Sequence, residues 1–290
     1  MGKIKIGILG YGNLGKAVEK AVERQIDMEL TGIYSRRKLD HPLAKDLKVL
    51  CNVEVIDVLI LCGGSATDLP EQTPRFAKLY NVVDSFDHHQ LIREHYKTVN
   101  AAARAGAHLA LVSCGWDPGL FSMVRALFSA ILPEPCVHTF WGKGISQGHS
   151  DAIRRIRGVK DARQYTIPLE SAMEVVQTYS NGTDKMESTD MHRRECYVVT
   201  EENADQRRIE TEIKNMPDYF TGYETVVHFI SQEKLEKEHS GFPHGGTVIG
   251  VNQGTTGSFQ LELASNPDFT AGVLVAYARA VYQMWKEGET

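Results

Sequence analysis

Three glycines set the first chemical possibility. Gly10, Gly12 and Gly15 fall in the spacing G-x-G-x-x-G within GILGYGNLGKAVEKAVE. In such a turn the first glycine permits the tight bend, the second lets backbone N–H groups approach a pyrophosphate, and the third allows close packing of the helix that follows. The N-terminus of that helix adds partial positive charge. Tyr11, Asn13 and Leu14 belong to the same loop through their backbone N–H groups. At the end of the next strand, where a dinucleotide site often carries an acid for the ribose 2′-hydroxyl, this chain has Ser35, Arg36 and Arg37. A hydroxyl and two guanidiniums suit a phosphate dianion, so the expected cofactor is NADP(H). A solvated basic turn is the plainer alternative. Asp87 and Asp117 each follow an apolar run. Both therefore stand at the carboxyl end of an expected strand, where parallel sheets bind ligands, although an Asp there also serves as a helix cap or turn residue.

Positioning these groups requires a parallel sheet. Ile4 to Leu9 reads as a buried strand, and Leu14, Ala17, Val18, Ala21 and Val22 then recur on one helical face. Further strands are expected at Glu29–Tyr34, Val55–Cys62, Asn81–Asp84 and His108–Ser113, with a helix over Leu91–Ala105. Strands alternating with helices predict an α/β fold, a Rossmann-type doubly wound dinucleotide-binding domain. After Asp117-Pro118-Gly119 the pattern changes. A helix is expected from Phe121 to Leu132, then short strands at Val137–Trp141, Gln164–Ile167, Arg194–Thr200 and Tyr223–Ile230. This pattern predicts a second α+β domain. Asn181 to Asp190 reads as a surface loop and Asp268 to Lys286 as a final helix. The expected domains are 1–117 with about 266–290, and 118–265.

Composition narrows the class. The chain has 290 residues, 42% of them hydrophobic, enough for a sizeable core. Its net charge of −5 argues against a nucleic-acid partner. No apolar run is long enough for a membrane span, and the chain goes straight into a strand without a leader peptide. Cys51, Cys62, Cys114, Cys136 and Cys196 are odd in number and scattered, as in a cytoplasmic protein with reduced thiols. His88-His89 stand together without metal-ligand spacing, so no metal is expected.

Longer motifs identify a family. CGGSATD (Cys62 to Asp68), SFDHH (Ser85 to His89), SCGWDPG (Ser113 to Gly119), HTFWGKGISQGHSDAIRRI (His138 to Ile156), MPDYFTGYE (Met216 to Glu224) and GFPHGG (Gly241 to Gly246) resemble the meso-diaminopimelate D-dehydrogenase family over nearly the whole chain. That resemblance implies an NADP-dependent homodimer of lysine biosynthesis whose second domain serves substrate binding and dimerisation. Its members reversibly convert meso-2,6-diaminopimelate at its D-centre to L-2-amino-6-oxopimelate and ammonia, and the oxo product cyclises to tetrahydrodipicolinate. It also implies that Asp87 and Asp117 hold the D-centre ammonium and that one takes its proton. By the same resemblance Trp116, Trp141, Gln147 and Gly148 line the substrate site, and Thr166, Arg194, His244 and Asn266 receive the far end. Cys62, Gly63, Gly64, Ser65, Ser85, Phe86 and Gly115 to Pro118 flank the nicotinamide half of the cofactor. Arg193 competes with Arg194, since strand alternation puts the two on opposite faces. Relatives usually run on past the last helix, whereas this chain stops at Thr290. Two alternatives stay open: a dihydrodipicolinate reductase, disfavoured because QLIREHY follows the His-His pair, and a non-catalytic NADPH-binding redox sensor.

Overall fold

An uninterrupted apolar strand makes sense only when a sheet is covered on both faces, and residues 2–122 are built that way. The computed structural model describes residues 2–52, 55–178, 186–217, 219–241 and 243–289. The chain divides into two compact units, Met1–Ser122 with Pro267–Thr290, and Met123–Asn266.

In the first unit the order is β1 (Ile4–Leu9), α1 (Asn13–Glu23), β2 (Met28–Ser35), β3 (Ala44–Asp46), β4 (Val58–Leu61), α2 (Leu69–Ala77), β5 (Asn81–Asp84), α3 (Ile92–Gly106) and β6 (Ala110–Leu111). These strands pair in parallel in the order β3-β2-β1-β4-β5-β6. That is the order of Rossmann sheets, which reverses direction between β1 and β4. Side-chain alternation sorts the apolar residues between two cores. Ile4, Ile6 and Ile8 of β1 and Val58 and Ile60 of β4 meet Ala17, Val18 and Val22 of α1 on one face. Leu9, Leu59 and Leu61 meet Leu69, Phe76, Val99, Ala102 and Ala103 of α2 and α3 on the other. Each fully buried aliphatic side chain contributes about 1.5–3 kcal/mol.

The second unit begins within α4 (Leu120–Ile131) and continues through β7 (Cys136–Trp141), β8 (Gly144–Ile145), α5 (Gln147–Arg154), β9 (Val159–Pro168), α6 (Glu170–Thr178), α7 (Ser188–Met191), β10 (His192–Thr200), α8 (Gln206–Lys214), β11 (Glu224–Phe229), α9 (Gln232–Glu238), β12 (His244–Asn252) and β13 (Thr255–Leu263). One sheet has the order β11-β10-β9-β8 and another the order β13-β12-β7. Ile153, Ile156, Ile209, Ile213 and Phe220 pack against the first of these. Phe140, Ala172, Val176, Ile249 and Val251 form the core beside the second. Helix α10 (Asn266–Lys286) then returns the chain to the first unit. There Ala271, Leu274, Val275, Ala278 and Val281 complete the core beside α1.

Several elements depart from the sequence reading. The strand expected over His108–Ser113 shrinks to Ala110–Leu111. Its flanks are taken by side chains of the neighbouring strand: Leu109 N–H donates to Asn81 Oδ1, and Ser113 N–H to Asp84 Oδ1. The β12–β13 hairpin was not expected. Five glycines (Gly245, Gly246, Gly250, Gly254, Gly257) blur its alternation, and a Cβ at Gly250 or Gly257 would lie 2.8 Å from the Phe128 side chain. Helices α2, α5, α6, α8 and α9 were also not expected. Of the loop expected at 181–190, residues 181–185 lie outside the described residues, and Ser188–Met191 is a short helix.

Candidate active site

Gly10 and Gly12 fit the roles the motif assigns them, and Gly15 departs from its own. Gly10 has φ +93, and its N–H donates to Tyr34 O at 2.9 Å, tying the loop to β2. A Cβ at Gly15 would stand 2.1 Å from the Gly10 carbonyl oxygen, whereas one at Gly12 would meet nothing within 4 Å. Gly15 thus packs on the loop rather than on the strand. A cavity of 470 Å³ opens at the carboxyl ends of β1, β2 and β4, where the sheet order reverses. It brings together Gly10, Tyr11 and Gly12, then Ser35, Arg36 and Arg37, and then Cys62, Gly63 and Gly64. Asp68 and Gln72, not singled out from sequence, complete its wall. Arg36 is largely exposed and ion-paired to Asp68 at 2.5 Å, and Asp68 also accepts from Gly64 N–H. Ser35 Oγ accepts from Arg37 N–H at 3.0 Å. Tyr11 OH donates to Glu19, which raises its pKa to about 12.

The carboxyl ends of β5 and β6 carry the two candidate carboxylates. Asp87 is exposed and Asp117 half-buried. Asp87 N–H donates to Ser65 Oγ at 3.0 Å, linking the β4 loop to the β5 loop. The second loop is fixed by shape. Gly119 has φ +126, and a Cβ there would sit 2.2 Å from Gly115 O. Trp116 packs edge-on against Phe121 at 5.3 Å. The Asp117–Pro118 peptide is cis.

In the second unit a polar cluster surrounds one guanidinium. Arg194 on β10 lies directly opposite Thr166 on β9 and donates to its hydroxyl. Arg194 is only 8% exposed, and its guanidinium carbon sits 4.0 Å from the Tyr223 ring centroid. Its Nε has no hydrogen-bond partner, and among the described residues it forms no ion pair. Burial pulls its pKa below the usual arginine range. Its neighbour Arg193 instead pairs with Glu195 at 2.9 Å. His149 and His192 are both pushed down to about 4, first by burial and further by the Arg194 charge. His192 Nε2 accepts from Trp141 N–H at 2.8 Å, its Nδ1 faces Ser188 O at 3.0 Å, and its ring stacks on Trp141. His149 Nδ1 bonds Gln164 Oε1 at 2.9 Å. Gly142 N–H donates to Gly245 O, and a Cβ on Gly142 would be 2.2 Å from Thr166 O. This turn therefore draws Trp141, Thr166 and His244 into one region.

Comparison with known proteins settles the family. The profile described as diaminopimelic acid dehydrogenase C-terminal domain matches residues 115–265. The meso-diaminopimelate D-dehydrogenase of Acetivibrio thermocellus is 52% identical, over 99% of this chain and 90% of that protein. This chain belongs to the meso-diaminopimelate D-dehydrogenase family. The C. glutamicum DAP dehydrogenase, solved in complex with DAP, is similar at TM-score 0.90 and 46% identity, over 100% of this chain and 92% of that one. An engineered D-amino acid dehydrogenase bound to NADP+ is similar at TM-score 0.84 and 44% identity, over 99% and 91%.

Within this diaminopimelate dehydrogenase fold the expected residues fall into separate sets. The cofactor residues Gly10 to Gly15, Ser35 to Arg37 and Cys62 to Ser65 share the first unit with Ser85 to Asp87 and Gly115 to Pro118. Trp141, Thr166, Arg194 and His244 gather in the second. Gly148 lies exposed in the first turn of α5, and Asn266 opens α10. The Gln147 side chain lies outside the described residues. Sequence reasoning missed Asp84, His149, Gln164 and His192. For Asp84 the signal was present: an acid ending the apolar strand NVVD, with no reason to be buried unless hydrogen-bonded.

Proposed function

We propose that this protein catalyses the NADP-dependent, reversible oxidative deamination of meso-2,6-diaminopimelate at its D-centre. The reading rests above all on the full-length relationship at about half identity to enzymes of that name. The first unit offers a fitting cofactor site. Backbone N–H groups of Gly10 to Gly15 would face the pyrophosphate, and Ser35, Arg36 and Arg37 the 2′-phosphate. The open space at Gly12 is what a close phosphate approach requires. Bound NADP+ would supply the hydride acceptor.

The chain's own residues do the rest. Asp87 and Asp117 hold the D-centre ammonium, and one of them removes a proton so that the nitrogen lone pair can form the C=N bond as hydride leaves carbon. Water adds to the resulting iminium and ammonia departs, leaving the oxo acid. At the other end the Arg194 guanidinium, which forms no ion pair among the described residues, receives the second carboxylate, assisted by Thr166, His244 and Asn266. A buried cation without an internal counter-charge is a receptor for an anion, and diaminopimelate has an anion to give at its non-reacting end.

The test is NADPH formation, followed by absorbance, on adding meso-diaminopimelate to enzyme and NADP+. D-alanine, L-lysine and NAD+ serve as controls. Turnover with meso-diaminopimelate and NADP+ alone is the expected result. Tight NADPH binding without turnover on any of these would favour the redox sensor. The partner is proposed to be a second copy of the chain. Met123, Leu127 and Ile131 on α4 recur at i, i+4 and i+8 and are each more than half exposed, the kind of stripe an isologous dimer covers. Light scattering on Leu127→Asp tests it. All five cysteines are free thiols and no described helix is long and apolar enough to cross a membrane. A cytoplasmic location is proposed from the family relationship.

A further inference from the structure

Asp84 is the last residue of β5 and is fully buried. A carboxylate at such a site is tolerated only when its oxygens are hydrogen-bonded. Here the two oxygens have different partners. Oδ1 accepts from Phe86 N–H at 3.1 Å and from Ser113 N–H at 2.8 Å. Oδ2 accepts from Thr73 Oγ1 at 2.8 Å and faces His95 Nε2 at 2.7 Å. The Asp84 backbone carbonyl also accepts from Cys114 N–H at 2.8 Å. The His95 ring in turn stacks on Phe86, centroids 4.1 Å apart.

The chain positions matter more than the number of bonds. Phe86 immediately precedes Asp87, and Ser113 and Cys114 open the loop that ends in Asp117. One oxygen of one buried side chain therefore ties together the roots of both loops that carry a candidate carboxylate. The other oxygen anchors that oxygen's orientation to α2 and α3. We propose that Asp84 is a positioning residue for the reaction: it sets the separation of Asp87 and Asp117 by holding Phe86 N–H and Ser113 N–H on a single oxygen. This rests on the reading of Asp87 and Asp117 as the groups that hold the amine. The required placement is tight, since a displacement of about 1 Å at a reacting group can cost about a hundredfold in rate.

The experiment measures kcat and KM for meso-diaminopimelate, NADPH affinity by fluorescence, and Tm, in six forms of the holoenzyme. They are the parent, Asp84→Ala, Asp84→Asn, Thr73→Val, the double variant Asp87→Asn/Asp117→Asn, and that double variant with Asp84→Ala. Asp84→Ala is expected to lower kcat about thirtyfold or more while NADPH affinity stays within about threefold. Asp84→Asn keeps an oxygen for the two loop N–H groups and should recover most of kcat. Thr73→Val removes a partner of Oδ2 only, so it should lower Tm and leave kcat within about threefold. If Asp84 acts through the two loop carboxylates, adding Asp84→Ala to the double variant should cost little more. Should Asp84→Ala fail to fold, Asp84→Ser takes its place, since its shorter side chain also withdraws the shared acceptor from both loops. A kcat loss in Thr73→Val as large as in the Ala or Ser variant at Asp84, at equal Tm loss, overturns the inference, as does full additivity in the combined variant. Near-parental kcat in the double variant alone would instead remove the underlying reading of Asp87 and Asp117.

Discussion

Replacing Arg194 by Met tests how the far end of the substrate is recognised. Arg194 is 8% exposed, and its guanidinium donates to Thr166, stacks on Tyr223, and keeps an unpaired Nε. A carboxylate arriving there would lose its hydration and gain charge-assisted hydrogen bonds. Each such bond is worth about 1.5–3 kcal/mol, and truncating one partner of a buried charge pair costs about 2–5 kcal/mol. At about 1.4 kcal/mol per factor of ten, kcat/KM for meso-diaminopimelate should fall by about thirty to a few thousandfold. A D-amino acid with an apolar side chain should respond in the opposite direction, because it no longer leaves a buried cation unpaired. Met restores similar volume without charge, so Tm should not fall. The assay is initial-rate NADPH formation with meso-diaminopimelate and with D-leucine, in the parent, Arg194→Met and Arg193→Met. Arg193 is paired to Glu195 and more exposed, so its variant should behave like the parent. An equal loss on both substrates in Arg194→Met, or a larger effect from Arg193→Met, would refute the argument.

Cofactor choice should follow the basic turn: in Arg36→Ala/Arg37→Ala, NADP+ binding should weaken by about an order of magnitude or more, and NAD+ binding should change little. Equal weakening of both in a fluorescence titration would count against the 2′-phosphate role. The glycines should separate by readout. Gly15→Ala places a Cβ 2.1 Å from Gly10 O and should lower both Tm and NADPH affinity, whereas Gly12→Ala meets nothing in the free protein and should lower affinity alone. The histidines of the second unit should give a pH dependence. His149 and His192 have folded pKa values near 4, below the ordinary 6.5, so the unfolded chain binds more protons between those values. The stability they confer is complete above about pH 6.5 and is lost as pH falls toward 4. Tm should decline over that window, and the decline should flatten in His149→Gln/His192→Gln. An unchanged slope in that variant would locate the titrating groups elsewhere.

Most of the first unit was legible because its signals are local. The glycine spacing, the apolar face from Leu14 to Val22 and the buried runs of β1 and β5 each lie within a few residues of one another, and β1 and β5 have the expected bounds. Elements failed where a local signal was overruled from a distance. β6 is short because Asn81 and Asp84, about thirty residues earlier, bind the backbone on either side of it. The β12–β13 hairpin was obscured because its glycines make room for Phe128, a residue more than a hundred positions away. α2 was obscured by its own composition, with Pro70 at its start and Pro74 inside it.

The candidate site divides along the same line. The residues proposed to face a ligand stand out by type and place: Ser35, Arg36 and Arg37 at the end of β2, and Asp87 and Asp117 after β5 and β6. Residues that hold those groups do not, because their meaning lies in partners far along the chain. Asp84 is interpretable only beside Thr73, His95, Phe86 and Ser113. The choice between Arg193 and Arg194 could not be made from alternation alone, which says that the two differ but not which faces inward. The proposal for Arg194 rests on the cross-strand partner. Thr166 stands opposite Arg194, whereas Glu195 neutralises Arg193. His149 and His192, held neutral beside Arg194, add no second cation, so a carboxylate docking as proposed would meet one charge rather than three. That is the electrostatic condition for distinguishing a substrate with a far-end carboxylate from one without it.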